Sequence, residues 1–312
     1  MKPDVILVTK VYPRTQEILE NEFNVHRLYE ASDRDALLRN YAGQVRALAT
    51  FGPMGADAKF MDALPKLEII SHFGVGYDSV DIGHAKKRGI IVTNTPDVLN
   101  DCVADTAMSL ILNVLREFPQ AQVHMRAGHW AGGGTYPLTT SVGGKTLGIL
   151  GFGRIGEAIA KRAEAFGMKI RYHNRSRKDS AFAYDPDPVT LARNSSVLLV
   201  ATPGGKATEK LVGAQVLDAL GPKGYLINIS RGSVLDEALV LQYLKEKRIA
   251  GAGLDVFERE PNANPEFFAL QNVVIYPHVA SATHETRYAM GMVQVENLRA
   301  YFAGKPVLTR VV

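Results

Sequence analysis

The chain has 312 residues, about twice the roughly 150 of a typical domain, so two domains with separate cores are expected and a disulfide-stapled miniprotein is excluded. Hydrophobic residues make up 46% and charged residues 22%, which excludes disorder and a fibrous repeat. The net charge of +4 is spread thinly, and the one basic cluster, Arg171 to Lys178, is too short for a duplex-binding face, so no nucleic-acid partner is expected.

The single Cys102 cannot form an internal disulfide, and the eight histidines lack the paired spacing of a zinc site, which implies a reducing compartment and no metal. The N-terminal apolar run, Val5 to Val8, is short, and no later segment reaches the length of a membrane span. A cytoplasmic protein without membrane contact is expected.

In chain order, apolar runs at Val5–Val8, Val25–Leu28, Val45–Phe51, Leu67–Phe73 and Gly89–Thr93 predict strands buried on both faces. Between them, Thr15–Asn21, Asp33–Tyr41 and Val80–Lys87 space their apolar residues at three and four, as crossover helices of a parallel sheet do. From Asp101 a helical pattern runs to about Arg126 with Pro119 as a break, and it reads as an inter-domain helix. His129–Gly144, with the only Trp and the triplet Gly132-Gly133-Gly134, reads as a plain loop. A second series of strands is predicted at Thr146–Leu150, Lys169–His173, Ser196–Ala201, Gly224–Ile229, Ile249–Asp255 and Val273–Tyr276. The last helix, from about Thr283 to Ala303, stops at Gly304 with Pro306 beyond. Val307–Val312 read as a tail with no sheet of their own, so this helix is expected to cross back to the first series. The predicted division is 1–98 with 285–312, a discontinuous substrate-binding domain, and 99–284, a dinucleotide-binding domain.

Gly151-Phe152-Gly153-Arg154-Ile155-Gly156 is a G-x-G-x-x-G between a predicted strand and a helix with apolar Ile155, Ile159, Ala163 and Phe166. Gly151 permits the tight turn, Gly153 lets backbone N–H groups approach a pyrophosphate, and Gly156 lets helix and strand pack closely. At the end of the next strand, where an NAD enzyme carries an acid for the adenosine ribose, stand Asn174, Arg175 and Ser176. A carboxylate would repel a 2′-phosphate, whereas Arg175 forms a charge-assisted fork to it and Asn174 and Ser176 donate neutral hydrogen bonds. NADPH is therefore the expected cofactor.

Arg231, Glu260 and His278 each follow a predicted strand, where α/β sheets place their ligands. Singly, each has an ordinary reading as a surface ion pair, a loop charge or a strand-end cap. Together they supply what a 2-oxo acid needs: a cation for the carboxylate, a proton donor for the carbonyl oxygen, and an anion that keeps the donor charged.

The chain resembles the D-isomer-specific 2-hydroxyacid dehydrogenases over essentially its whole length. The resemblance rests on Gly74-Val75-Gly76-Tyr77-Asp78-Ser79-Val80-Asp81, on Thr95-Pro96-Asp97-Val98-Leu99 onward to Thr106, on Asn228-Ile229-Ser230-Arg231-Gly232, on Leu254 to Pro261, and on Pro277 to Thr283. It implies two Rossmann-like, doubly wound parallel-sheet domains flanking a cleft, α/β in class, and a homodimer formed through the coenzyme domains. It also implies that Arg231 binds the substrate carboxylate and carbonyl, that His278 is the acid with Glu260 as its partner, and that the Val75 and Gly76 amides hold the carboxylate. Asp255 and Ile229 would hold the nicotinamide, with Thr106, Thr202, Pro203 and Ala280 also at the coenzyme. Met54, in Phe51–Ala58, would floor the substrate pocket, against the competing reading of Met as core. The Asn174-Arg175-Ser176 turn resembles the NADPH-dependent glyoxylate and hydroxypyruvate reductases and the plant hydroxyphenylpyruvate reductases. Reduction of a small 2-oxo acid is expected. The alternatives are a bulkier 2-oxo acid (hydroxyphenylpyruvate or 2-ketogluconate), a dinucleotide-sensing corepressor, and an NAD enzyme working oxidatively.

Overall fold

The computed structural model describes residues 2–312 and divides the chain into two units. One comprises the chain up to Leu99 together with Ala282–Val312; the other is Asn100–Ser281.

In the first, β1 (Asp4–Leu7), α1 (Pro13–Glu22), β2 (Asn24–Arg27), α2 (Arg34–Tyr41), β3 (Ala47–Phe51), α3 (Ala58–Asp62), β4 (Ile69–Phe73), α4 (Ile82–Lys87) and β5 (Ile91–Thr93) alternate along the chain. The five strands form a parallel sheet in the order β2-β1-β3-β4-β5. Its apolar runs fill cores on both faces, Ile6, Leu48 and Ile70 on one and Val5, Ala47 and Ile69 on the other. Asp33, Asp57 and Asp81 each accept a backbone N–H at the start of a helix, so strand ends become helix starts within a few residues. The short α3 has no counterpart in the predicted elements.

The second unit holds α5 (Asn100–Arg116), α6 (Phe118–Arg126), β6 (Thr146–Leu150), α7 (Arg154–Ala165), β7 (Lys169–His173), β8 (Ala183–Tyr184), α8 (Pro188–Arg193), β9 (Val197–Val200), α9 (Ala214–Leu220), β10 (Tyr225–Asn228), α10 (Glu237–Lys245), β11 (Gly251–Leu254) and β12 (Val273–Ile275). The strand order is β12-β11-β10-β9-β6-β7-β8, all parallel, with the direction of winding reversing between β6 and β9. Six strands were expected, and β8 is the seventh. Two residues long, it is pinned by Asp185, which takes both arms of Arg171 at 2.6 and 2.7 Å.

The helical stretch from Asp101 is two helices: the break expected at Pro119 falls at Glu117, with φ 49°, and Pro119 sits in the first turn of α6. The first of them, α5, packs on α7, β10 and β11 of its own unit. One further expectation is corrected. Phe166, expected on the inner face of the helix after the glycine loop, lies beyond α7 and is 46% exposed.

The final helix, α11 (His284–Phe302), is capped by Thr283 and packs on β4 and α1. The tail after it does pair. Val311 N–H donates to Val92 at 2.7 Å, Val92 N–H to Val312 at 3.2 Å, and Thr93 bridges Arg310 in antiparallel sense, so the chain end lines the edge strand β5.

Candidate functional site

Because the larger sheet is parallel throughout, every strand delivers its following loop to the same edge. There the glycine loop follows β6, Asn174 follows β7, Thr202 follows β9, Arg231 follows β10, Asp255 follows β11 and His278 follows β12.

The three glycines of the loop have three distinct requirements. Gly151 has φ 99°, and a Cβ on it would lie 2.6 Å from the Thr202 nitrogen. A Cβ on Gly156 would lie 2.8 Å from the Gly151 oxygen, so α7 reaches the loop only without a side chain there. Gly153 meets nothing within 4 Å, which leaves open space over the N-terminus of α7, where Arg154 and Ile155 begin the helix.

Asn174 makes contacts within the chain besides the role expected of it. Its Oδ1 accepts from Phe152 N–H at 2.6 Å and its Nδ2 donates to the Phe152 carbonyl at 3.0 Å, so the carboxamide clamps the glycine loop. Arg175 and Ser176 are exposed. Arg171 is spent on Asp185, and Lys178 pairs with Glu157 at 2.6 Å. The Thr202 hydroxyl is buried and has no hydrogen-bond partner in the chain, while Pro203 beside it is exposed.

At the other end of the edge, His278 Nδ1 lies 2.6 Å from Glu260 Oε2, and the second carboxylate oxygen of Glu260 accepts from Phe257 N–H at 3.0 Å. Burial opposes ionisation of Glu260, but the hydrogen bond and charge of His278, the Phe257 amide and the nearby Arg231 charge together hold its pKa below the ordinary carboxylate value. Asp255 behaves oppositely: fully buried, its carboxyl is pushed up, although it accepts Val279 N–H at 2.8 Å and Ala280 N–H at 3.0 Å. These two bonds, with His278 N–H donating to the Asp255 carbonyl at 2.8 Å, hold His278 in the left-handed region at φ 53°. Thr106 on α5 reaches the same segment, its hydroxyl donating to the Cys102 carbonyl at 3.1 Å and the Ala280 carbonyl at 3.4 Å.

Sequence reasoning missed the supports of Arg231. Asn228 is fully buried; its Oδ1 accepts Ser230 N–H and Oγ–H, both at 3.0 Å, and its Nδ2 donates to the Arg231 carbonyl at 3.0 Å. A Cβ on Gly232 would lie 1.9 Å from the Phe257 carbonyl carbon, so glycine is what lets the Arg231 turn close on the segment bearing Glu260. Glu237 takes Glu258 N–H at 2.7 Å, and burial pushes its carboxyl up. The sequence signal that could have found them is the polar Asn228 inside the apolar run Leu226–Ile229.

In the smaller unit, Val75 and Gly76 lie in the loop after β4, and Met54 in the turn after β3, where it is 49% exposed and therefore not core. Thr95 Oγ1 accepts Gly74 N–H at 3.0 Å, Asn94 Nδ2 donates to the Val75 carbonyl at 3.0 Å, and His72 Nε2 lies 2.9 Å from the Gly76 carbonyl. No group of metal-ligating side chains occurs among the described residues, and none of their helices is long and apolar enough to cross a membrane.

A family model described as "D-isomer specific 2-hydroxyacid dehydrogenase, NAD binding domain" matches residues 108–280. The chain is 47% identical to glyoxylate/hydroxypyruvate reductase A of Arabidopsis thaliana, over 99% of this chain and 98% of that protein. It is 44% identical to 2-ketogluconate reductase of Gluconobacter oxydans, over 100% and 99%. Among solved structures, the NADPH-dependent glyoxylate/hydroxypyruvate reductase of Sinorhizobium meliloti, in complex with NADP and malonate, is similar with a TM-score of 0.94 and 47% identity, covering 100% of this chain and 97% of that one.

Proposed function

Since the chain belongs to the D-isomer-specific 2-hydroxyacid dehydrogenase family, we propose that it reduces a small 2-oxo acid, glyoxylate or hydroxypyruvate, to the 2-hydroxy acid with NADPH. The observation that carries this reading is the 2.6 Å contact between His278 Nδ1 and Glu260 Oε2, on the sheet edge that also bears Arg231 and the glycine loop.

The residues fit a dinucleotide. The open space at Gly153 and the α7 N-terminus suit a pyrophosphate, and the partnerless Thr202 hydroxyl marks a polar wall beside it. Arg175 and Ser176 would take the 2′-phosphate, with Asn174 shaping the loop, and Asp255, Ile229, Ala280, Thr106 and Pro203 would border the rest of the coenzyme. When bound, NADPH supplies the hydride that reduces the carbonyl carbon.

The chain's own residues do the remainder. Arg231 offers a planar fork to the carboxylate and carbonyl of the substrate. With Nδ1 engaged by Glu260, His278 gives the proton on Nε2 to the carbonyl oxygen as charge builds there, and the ring retains the proton facing Glu260. Glu260, its pKa held below the ordinary carboxylate value, accepts at Nδ1 and keeps the ring oriented. The Val75 and Gly76 amides take the carboxylate, and Met54 gives the pocket an apolar floor.

The smaller unit would then be the substrate-binding domain and the larger one the dinucleotide-binding domain. We further propose a homodimer: α6 and the loop after it expose Phe118, Val123, Met125, Trp130 and Leu138, an apolar surface suited to a second copy. Cys102, which forms no disulfide, suits a cytoplasmic, reducing location.

The test is coenzyme oxidation with glyoxylate, hydroxypyruvate, hydroxyphenylpyruvate and 2-ketogluconate, each with NADPH and NADH. The two small acids with NADPH should give the highest kcat/KM. A preference for either larger acid would reassign the substrate, and no turnover of any would remove the reductase reading.

A further inference from the structure

Each residue of the loop Gly74–Gly76 is held at its carbonyl, and Gly74 N–H also donates to the Thr95 hydroxyl at 3.0 Å. Thr95 N–H donates to the Gly74 carbonyl at 3.0 Å, and Asn94 Nδ2 to the Val75 carbonyl at 3.0 Å. In a trans peptide the N–H points opposite to the C=O of the same unit. Fixing the Gly74 carbonyl therefore aims the Val75 N–H away from Thr95, and fixing the Val75 carbonyl aims the Gly76 N–H away from Asn94. Both carbonyls are thus turned toward the Asn94-Thr95 segment and both N–H groups away from it, an arrangement compatible with a backbone nest that receives an anion.

Asn94 is itself braced. Its carbonyl accepts the Thr309 hydroxyl at 2.6 Å, and its N–H donates to the Thr309 carbonyl at 3.3 Å. Thr309 is in turn held by the fully buried Asn297 of α11, whose Nδ2 donates to the Thr309 hydroxyl at 2.8 Å and whose Oδ1 accepts Leu308 N–H at 2.9 Å and Thr309 N–H at 3.2 Å. A continuous series of hydrogen bonds thus runs from α11 through the chain end to the Val75 carbonyl.

We propose that Asn94, braced by Thr309, is the positioning residue that aims the Val75 and Gly76 amides, which makes the C-terminal tail part of the support for the substrate carboxylate. The inference rests on the reading that these two amides receive the carboxylate. Asn94 touches no substrate; it acts through the peptide plane of Val75 and Gly76. Its effect therefore belongs in KM for the 2-oxo acid, while kcat and the affinity for NADPH, which the larger unit would bind, stay near wild type.

The experiment uses Asn94→Asp, which keeps the shape but presents no donor to the Val75 carbonyl at neutral pH, and Thr309→Val, which removes the hydroxyl while keeping the branched shape. Asn94→Asp should raise KM for glyoxylate about tenfold or more, as loss of an amide donor to a charged group does. Thr309→Val should raise it less, with kcat and NADPH binding retained in both. Amide 15N resonances of Val75 and Gly76 are followed in parallel on titration with oxamate, an inert 2-oxo acid analogue; they should shift in the wild type and shift less in Asn94→Asp. Wild-type shifts that persist unchanged in Asn94→Asp, with unchanged KM, overturn the positioning role and leave the carboxylate reading standing. Resonances that do not respond to oxamate in the wild type overturn the carboxylate reading, and the positioning role with it.

Discussion

Both units wind parallel strands around double-faced apolar cores, yet they present their chemistry in different ways. The larger sheet offers side chains: Arg231, Asp255 and His278 each stand within three residues of a strand end, and Glu260 is five residues past Asp255. On the proposed reading the smaller would offer main chain, in the loop Gly74–Gly76, which Thr95 and Asn94 hydrogen-bond and the chain end braces through Thr309. A site made of side chains is specific at single positions and titrates; a site made of amides has neither property, and its determinants lie elsewhere in the fold.

Substitutions in the larger unit should therefore be severe and local. The largest effect is expected at His278. If it donates the proton to the carbonyl oxygen, His278→Ala should lower kcat for reduction by roughly the 10²–10⁴ of general acid catalysis, with NADPH binding retained. Steady-state kinetics with coenzyme titration checks this, and a loss of only a few fold would assign the proton to another group. Arg231→Lys comes next. The ammonium keeps the charge but not the planar fork, so kcat/KM should fall about ten- to a hundredfold while the melting temperature holds. Near-normal kinetics in a folded Arg231→Lys protein would move the carboxylate anchor away from this edge. Third, Arg175→Ala should cost about tenfold in kcat/KM with NADPH and little with NADH, a modest figure because the side chain is exposed. An equal loss with both coenzymes would show that Arg175 does not distinguish them.

The same contrast explains what was legible in the sequence. The glycine loop and the strand-end residues announce themselves because their chemistry requires particular residue types at particular distances from apolar runs. Most of the central strands, such as β3, β4, β6 and β9, were found for the same reason, being apolar runs buried on both faces. Harder to see was anything decided by tertiary pairing. β8 is two residues long and exists because Asp185 ties down Arg171, and the tail joins β5 only because α11 returns it there. The Asn174 side chain, read as a phosphate donor from its place in the motif, also clamps Phe152, a backbone contact that no spacing encodes. The left-handed His278 depends likewise on amides gathered by a carboxylate on the neighbouring strand's loop.

The smallest expected effect separates the two kinds of site by pH. Burial opposes ionisation of Glu260, and His278, the Phe257 amide and Arg231 outweigh it, so the folded pKa lies below the unfolded one. A carboxyl of that kind contributes stability that is fully present above its unfolded value of about 4.3 and is lost as pH falls through the folded value. Activity that needs the ionised Glu260 should accordingly persist below the ordinary glutamate range before its acid limb begins. His278→Gln retains an amide able to reach Glu260 but carries no charge, so burial gains weight and the carboxyl should titrate at higher pH than in the wild type. The 13C shift of the Glu260 carboxyl, followed against pH in both proteins, measures this directly, and superimposable curves would show that His278 does not govern its partner. Asn94→Ala supplies the contrast. The amides it would misalign do not titrate, so it should raise KM for the 2-oxo acid and leave the acid limb where it is. A displaced limb in that variant would mean that the smaller unit's loop contributes to the titration of Glu260, and the division between a titrating side-chain site and a fixed main-chain site would no longer hold.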